Sequence, residues 1–206
     1  MPFRLRRDDA RFGDLLADVA ARLGTAAGLL AELLGADGPQ LRAALPAVRA
    51  ADLAAESAAN AVLRALSEAF VTPFDRVDVY RVTWAMRVAV TRITAAAEDV
   101  VQFELGDLPP AATELVALLG RAAEVAAEAV PRLQHPALLT DSAVELDRLG
   151  RQAREAQRQF VVAVSTDGAD ATLLVRRVGL AQSLRRAVES FEDLAHALQT
   201  VAVKEG

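Results

Sequence analysis

The 206-residue chain contains no cysteine, one lysine (Lys204), one tryptophan (Trp84), one tyrosine (Tyr80) and two histidines (His135 and His196). Without cysteine there are no disulfides, thiolate metal sites or cysteine nucleophiles. Twenty-three Lys plus Arg stand against 28 Asp plus Glu, a net charge of −5. That balance lacks the basic footprint of a nucleic-acid binder, so nucleic acid is not expected as a partner. Mean hydropathy is +0.22. Even so, Asp, Glu or Arg interrupts every apolar run before the roughly 18 residues that a spanning helix needs. At the N-terminus, Arg4, Arg6 and Arg7 lead into Asp8 and Asp9 rather than into an apolar core and a cleavage site. The expectation is therefore no signal peptide and a cytoplasmic protein.

What the chain has in abundance is alanine, 45 residues, beside only 8 prolines and 11 glycines. This is the composition of helices. Apolar residues recur in alternating steps of four and three, the seam of helices packed nearly parallel or antiparallel. The first seam is Phe12, Leu16, Val19, Leu23, Ala26, Leu30 and Leu33, predicting a helix over about 9–34 that ends at Gly35 and Asp37-Gly38-Pro39. The second runs Leu41, Leu45, Val48, Asp52, Ala55, Ala59, Val62 and Leu66, with a kink expected at Pro46 and an aspartate on the seam. The third runs from Val79 through Val82, Met86, Ala89, Ile93, Ala96 and Val100 to Phe103, with Asp75 as its cap and Asp78 at the positive end of its dipole.

Gly106-Asp107-Leu108-Pro109-Pro110 is the main internal boundary, suited to a helix start. The fourth helix carries Leu115, Leu118, Ala122, Val125 and Ala129. The fifth is predicted from Asp141 to Val164 with Val144, Leu149, Ala153, Ala156, Phe160 and Ala163 inward, and Ser165-Thr166-Asp167-Gly168 turns into the last. That sixth helix has the seam Leu180, Leu184, Ala187, Phe191, Leu194, Leu198 and Val201. The fold expected is an all-α, up-down bundle of six long helices, and no period-two strand signal competes. The boundary divides it into three-helix halves, 1–105 and 106–206, packed as one unit and suggestive of an internal duplication.

Few residues suggest chemistry. No nucleophile is paired with a base, and there is no phosphate-binding glycine loop and no paired Glu-x-x-His. His135 and His196 read as exposed or locally bonded, and an enzyme is not expected. Asp52 and Glu56 are one helical turn apart, with Asn60 a turn later, so their oxygens could converge on a hard cation. A seam carboxylate must be paired, protonated or metal-bound. A salt bridge or a solvated edge explains the same spacing.

The run Phe70-Val71-Thr72-Pro73-Phe74-Asp75-Arg76-Val77-Asp78 resembles the Phe-x-Thr-Pro-Phe-Asp-Arg-x-Asp signature of the PhoU-like accessory proteins associated with Pit-type inorganic phosphate transporters. The resemblance extends to Asp8–Leu16, to the acid-containing helix before Phe70, and to Glu192–Leu198 with Val203-Lys204 near the end. It implies a six-helix PhoU fold of two similar halves. It also implies acidic Glu/Asp-x-x-x-Asp motifs that bind multinuclear metal clusters in some members. The motif of the second helix falls on Asp52 and Glu56, with Asn60 where relatives often carry His. That of the third falls on Arg87, Val88 and Thr91, so its acids are absent. In the fifth helix Glu145 matches but the fourth residue on is Leu149, and Ser142-Ala143-Val144-Glu145 also reads as a capping box. In the sixth the acidic run becomes Arg185, Arg186 and Glu189.

Arginines at Arg87, Arg185 and Arg186 invert the charge where the family holds cations. They either pair with remaining acids or contact phosphate and acidic proteins. The cofactor expectation is accordingly none, or at most a weakly held single divalent ion at Asp52 and Glu56. The function implied is a non-catalytic accessory or regulatory partner at the cytoplasmic face of a Pit-type transporter. The rivals are a metal-binding sensor built on Asp52 and Glu56, and a helical scaffold that forms homo-oligomers.

Overall fold

The computed structural model describes residues 2–36, 38–72, 75–103, 105, 108–133 and 135–205, with backbone alone for 2–10 and 205. Pro73, Phe74, Gly106 and Asp107, named above for the signature and the boundary, lie outside the described residues. Six helices follow in order: α1 (Pro2–Leu34), α2 (Gly38–Glu68), α3 (Arg76–Phe103), α4 (Pro110–Ala129), α5 (Pro136–Thr166) and α6 (Ala171–Glu205). No strand occurs among the described residues, so the all-α, six-helix expectation holds. α1, α2 and α3 pack on one another, as do α4, α5 and α6, while α3 against α6 and α1 against α4 join the two sets.

The seams of α1 and α6 are buried at every predicted position, from Phe12 to Leu33 and from Leu180 to Val201. One continuous apolar core results, with Phe12, Phe160 and Phe191 among its largest fully buried side chains. Small residues let the helices approach closely. At Gly150 of α5 any Cβ would collide with the Glu192 side chain of α6. That carboxylate sits there because Arg154, one turn along α5, ion-pairs with it. Gly168, at φ +76°, makes the α5–α6 turn in the left-handed region that glycine tolerates.

Some boundaries differ from the sequence reading. α1 starts at Pro2, ahead of the expected start near residue 9, whereas α2 runs as one helix with Pro46 inside it, as its seam predicts. α5 starts at Pro136, five residues ahead of Asp141, because Pro136 supplies a pre-set first-turn φ. This overturns the capping box. Ser142 is already inside the helix and buried, and Glu145 is chelated by Arg148 at 2.7 and 2.5 Å. Val144 is exposed and Ala163 only half-buried. The inward row of α5 is instead Leu139, Ala143, Leu146, Leu149, Ala153, Ala156, Phe160 and Val164.

Candidate functional site

Asp75 and Arg76 of the signature close the α2–α3 corner. The Asp75 carboxylate accepts the Val77 N–H at 2.8 Å, the N-terminal cap of α3 that the sequence predicts. Arg76 turns back, and its guanidinium donates to the carbonyls of Leu66 at 3.1 Å, Ala69 and Phe70 at the end of α2. One arginine thereby satisfies acceptors that the last helical turn leaves open. Phe70 is 98% exposed.

Asp78 lies in the first turn of α3, at the positive end of its dipole as expected, and has a second role. It is 3% exposed, and Lys204 of α6 donates to its Oδ2 at 2.7 Å while reaching Asp75 Oδ2 at 3.4 Å. Arg81 lies 3.8 Å from the other oxygen. The only lysine of the chain thus clasps the end of α6 to the start of α3. The Val77 N–H and then the Lys204 ammonium hold the Asp75 carboxyl below its ordinary value of 3.8. The Asp78 hydrogen bond, foremost, raises the Lys204 ammonium above 10.5.

The pH dependence follows from these directions. A depressed acid stabilises the fold above its unfolded pKa and stops doing so as pH falls below 3.8. A raised amine stabilises it below 10.5 and stops as pH rises past its folded value. Lys204→Met is therefore expected to lower Tm near neutrality and to flatten the alkaline limb above 10.5 relative to the parent. Parallel alkaline melting curves for the two proteins would remove the clasp from the account of stability.

The Asp52 region is an ionic lock. Arg87 of α3 grips Asp52 of α2 with both terminal nitrogens, Nη1 to Oδ1 at 2.8 Å and Nη2 to Oδ2 at 3.2 Å. The same guanidinium donates to the Thr91 hydroxyl, and Thr94 Oγ1 lies 3.3 Å from Asp52 Oδ1. Side-chain exposures of 16% for Arg87 and 30% for Asp52 put the pair between the surface and buried regimes. Glu56 and Asn60 are exposed on the same side of α2, and Glu56 has no ion-pair partner among the described residues. Val88 is half-buried and Thr91 exposed.

In the second half the motif positions form no such pair across helices among the described residues, and the ion pair that joins α5 to α6 is Arg154–Glu192 instead. Leu149 is fully buried in the core, Arg185 pairs with Glu189 one turn on, and Arg186 is exposed. Asp52 and Glu56 are not brought together with any third acid or histidine into a metal-binding group among the described residues. The side chains of His135 and His196 are exposed and make no hydrogen bond there.

Sequence reasoning did not single out the row Tyr80, Trp84, Val88 and Arg92, spaced four apart along α3. Tyr80 and Trp84 are 47% and 56% exposed and stacked, with ring centroids 6.3 Å apart and planes 7° from parallel. The four form a rib between two clefts. A cleft of about 460 Å³ lies toward Glu56, Asn60 and Leu63 of α2, and another of about 470 Å³ toward Asp193, His196 and Thr200 of α6. The signal was available: Tyr80 and Trp84 fall outside the Val79-Val82-Met86 seam, which leaves two aromatic rings facing solvent one turn apart.

Fold and site together define an all-α bundle with an acid–arginine lock between α2 and α3. Among the described residues no helix is long and apolar enough to cross a membrane. No family model matches the chain. Its sequence is similar, nearly end to end, to a curated protein of Rhizobium meliloti (strain 1021) named "Putative pit accessory protein". The two are 25% identical over an alignment of 206 residues covering 97% of this chain and 95% of that protein. This agrees with the resemblance carried by the Phe70–Asp78 signature.

Proposed function

We propose that this protein is a non-catalytic accessory protein of inorganic phosphate transport. It acts from the cytoplasm, peripheral to the membrane, by binding the inner face of a Pit-type transporter and shifting the balance of its conformations. The observation that carries this reading is the near-full-length similarity to a protein named for that role. The two three-helix halves belong to the same PhoU-like reading, and the contacts among α1, α2 and α3 and among α4, α5 and α6 are compatible with them.

The reading includes a metal-poor centre. The Arg87 guanidinium takes both oxygens of Asp52 and supplies the positive charge that a cation would otherwise bring. Multinuclear hard-cation sites need several convergent oxygen donors, and Glu56 with Asn60 supplies few.

The test uses the Pit-type transporter of the same genome, reconstituted in nanodiscs. The expected result is saturable binding of the purified protein, with phosphate uptake by proteoliposomes altered when the protein is on the cytoplasmic side. Absence of binding with and without phosphate overturns the proposal. A metal assay on the same preparation is expected to give iron, zinc and manganese well below stoichiometric amounts. Stoichiometric metal that is lost in Asp52→Ala/Glu56→Ala would replace the metal-poor reading with the sensor.

A further inference from the structure

We infer that the Tyr80–Trp84–Val88–Arg92 rib of α3 is the docking surface for the partner, and that its occupant is a protein segment with apolar anchors and acidic residues. The inference rests on the accessory-protein reading and specifies where and with what chemistry that association occurs.

Three observations converge. The first is exposure: the only tryptophan and the only tyrosine of the chain both stand out of the same helix, while Val82, Met86 and Ile93 of that helix serve the core. Stacked on each other, the two rings are already ordered, so little side-chain entropy remains to be lost on binding. Trp, Tyr and Arg are the residue types that concentrate binding energy at protein interfaces. The second is shape. Clefts of about 460 and 470 Å³ flank the rib, and Trp84 lines both. A rib with a concavity on each side accepts side chains inserted on either flank of the indole, a relief that suits a folded protein segment better than a flat lipid surface.

The third is charge. Arg92 bonds the Arg186 carbonyl at 3.2 Å through Nη1 and has no carboxylate partner among the described residues. Arg186, exposed on the adjoining stretch of α6, and Arg64, one turn beyond Asn60 on α2, are without a side-chain partner there too. Arg81 reaches only the already shared Asp78. Against these cations stand Glu56 and Asp193, since Asp52 and Glu189 are neutralised by Arg87 and Arg185. On a chain of net charge −5, Arg64, Arg92 and Arg186 thus border this face without a carboxylate partner among the described residues. Carboxylates of a partner would dock there bidentately.

The experiment exploits the single tryptophan. Protein labelled with 5-fluorotryptophan carries one fluorine environment, and its 19F resonance is followed on titration with transporter nanodiscs. Empty nanodiscs of the same lipids, anionic lipid included, serve as the second arm. The expected result is a shifted or broadened resonance with the transporter alone, at least tenfold weaker binding for Trp84→Ala and for Arg92→Glu/Arg186→Glu, and loss of affinity with rising salt. All substituted positions are at or near the surface, and unchanged thermal melting confirms that the variants fold. Transporter binding with an unmoved resonance and unaffected variants overturns this surface while leaving the accessory reading intact. A shift with empty nanodiscs overturns the protein occupant in favour of a membrane. No binding to the transporter overturns both.

Discussion

A Leu149→Asp variant is expected to lose its cooperative thermal transition or to melt far below the parent. Leu149 is fully buried in α5, within the continuous core. The substitution forfeits about 2 kcal/mol of apolar burial. It also places a carboxylate where no cation waits, a further cost of about 3–5 kcal/mol. Together these approach the roughly 5–15 kcal/mol total stability of an ordinary domain. The matched control is Arg186→Asp on exposed α6, which is expected to melt close to the parent. Circular-dichroism melts of the two variants decide the matter, and equal, small shifts in both would mean that α5 is rotated from the position described. The family resemblance puts an acid at Leu149, so in this packing that ligand cannot be reinstated by substitution there alone.

Phe191→Asn is expected to be nearly as damaging, by a different route. The ring is 1% exposed, and its loss leaves a cavity worth about 3–5 kcal/mol. The amide then sits in that space with hydrogen-bonding groups to satisfy, and each unsatisfied one costs roughly 1–3 kcal/mol more. Phe191→Leu, which keeps an apolar side chain, should recover part of the loss. If Phe191→Asn melts within about two degrees of the parent, a shift worth about 0.5–1 kcal/mol, the inward face of α6 is misassigned.

The sequence disclosed the fold well because burial on a helix follows a period that side-chain polarity reports directly. Every predicted inward residue of α1 and α6 is buried. The reading weakened where the signal was local and ambiguous. Ser142 and Glu145 have the spacing of a cap, but Pro136, which fixes its own φ, opens the helix upstream and leaves that spacing in its interior. Val144 was drawn inward for its hydrophobicity, although the α5 register set by Leu139, Leu146 and Leu149 leaves it outside.

At the site, Asp52 was legible as a carboxylate on a seam that had to find a partner. Its actual partner, Arg87, lies 35 residues away on another helix, a pairing that spacing along one helix cannot reveal. Asp78 is similar. Its helix-end position suggested a dipole role, while its buried contact with Lys204, 126 residues on, becomes visible only once α6 is laid beside α3. The Tyr80–Trp84 rib was the reverse case, present in the spacing and overlooked because a search for chemistry does not look for exposed rings.

The lysine clasp also gives the molecule a built-in chemical reporter. Lys204 is the only side-chain amine in the sequence, so an acylating reagent has one side-chain target, and a lysine-specific endoproteinase has one bond to cut. While Asp75 and Asp78 hold the ammonium, it is both charged and spatially restrained, and a charged amine is a poor nucleophile. Its acylation rate therefore reads how often the end of α6 parts from the start of α3. Measured in the presence and absence of a bound partner, that one rate reports whether an event on the exposed side of α3 is felt at its first turn.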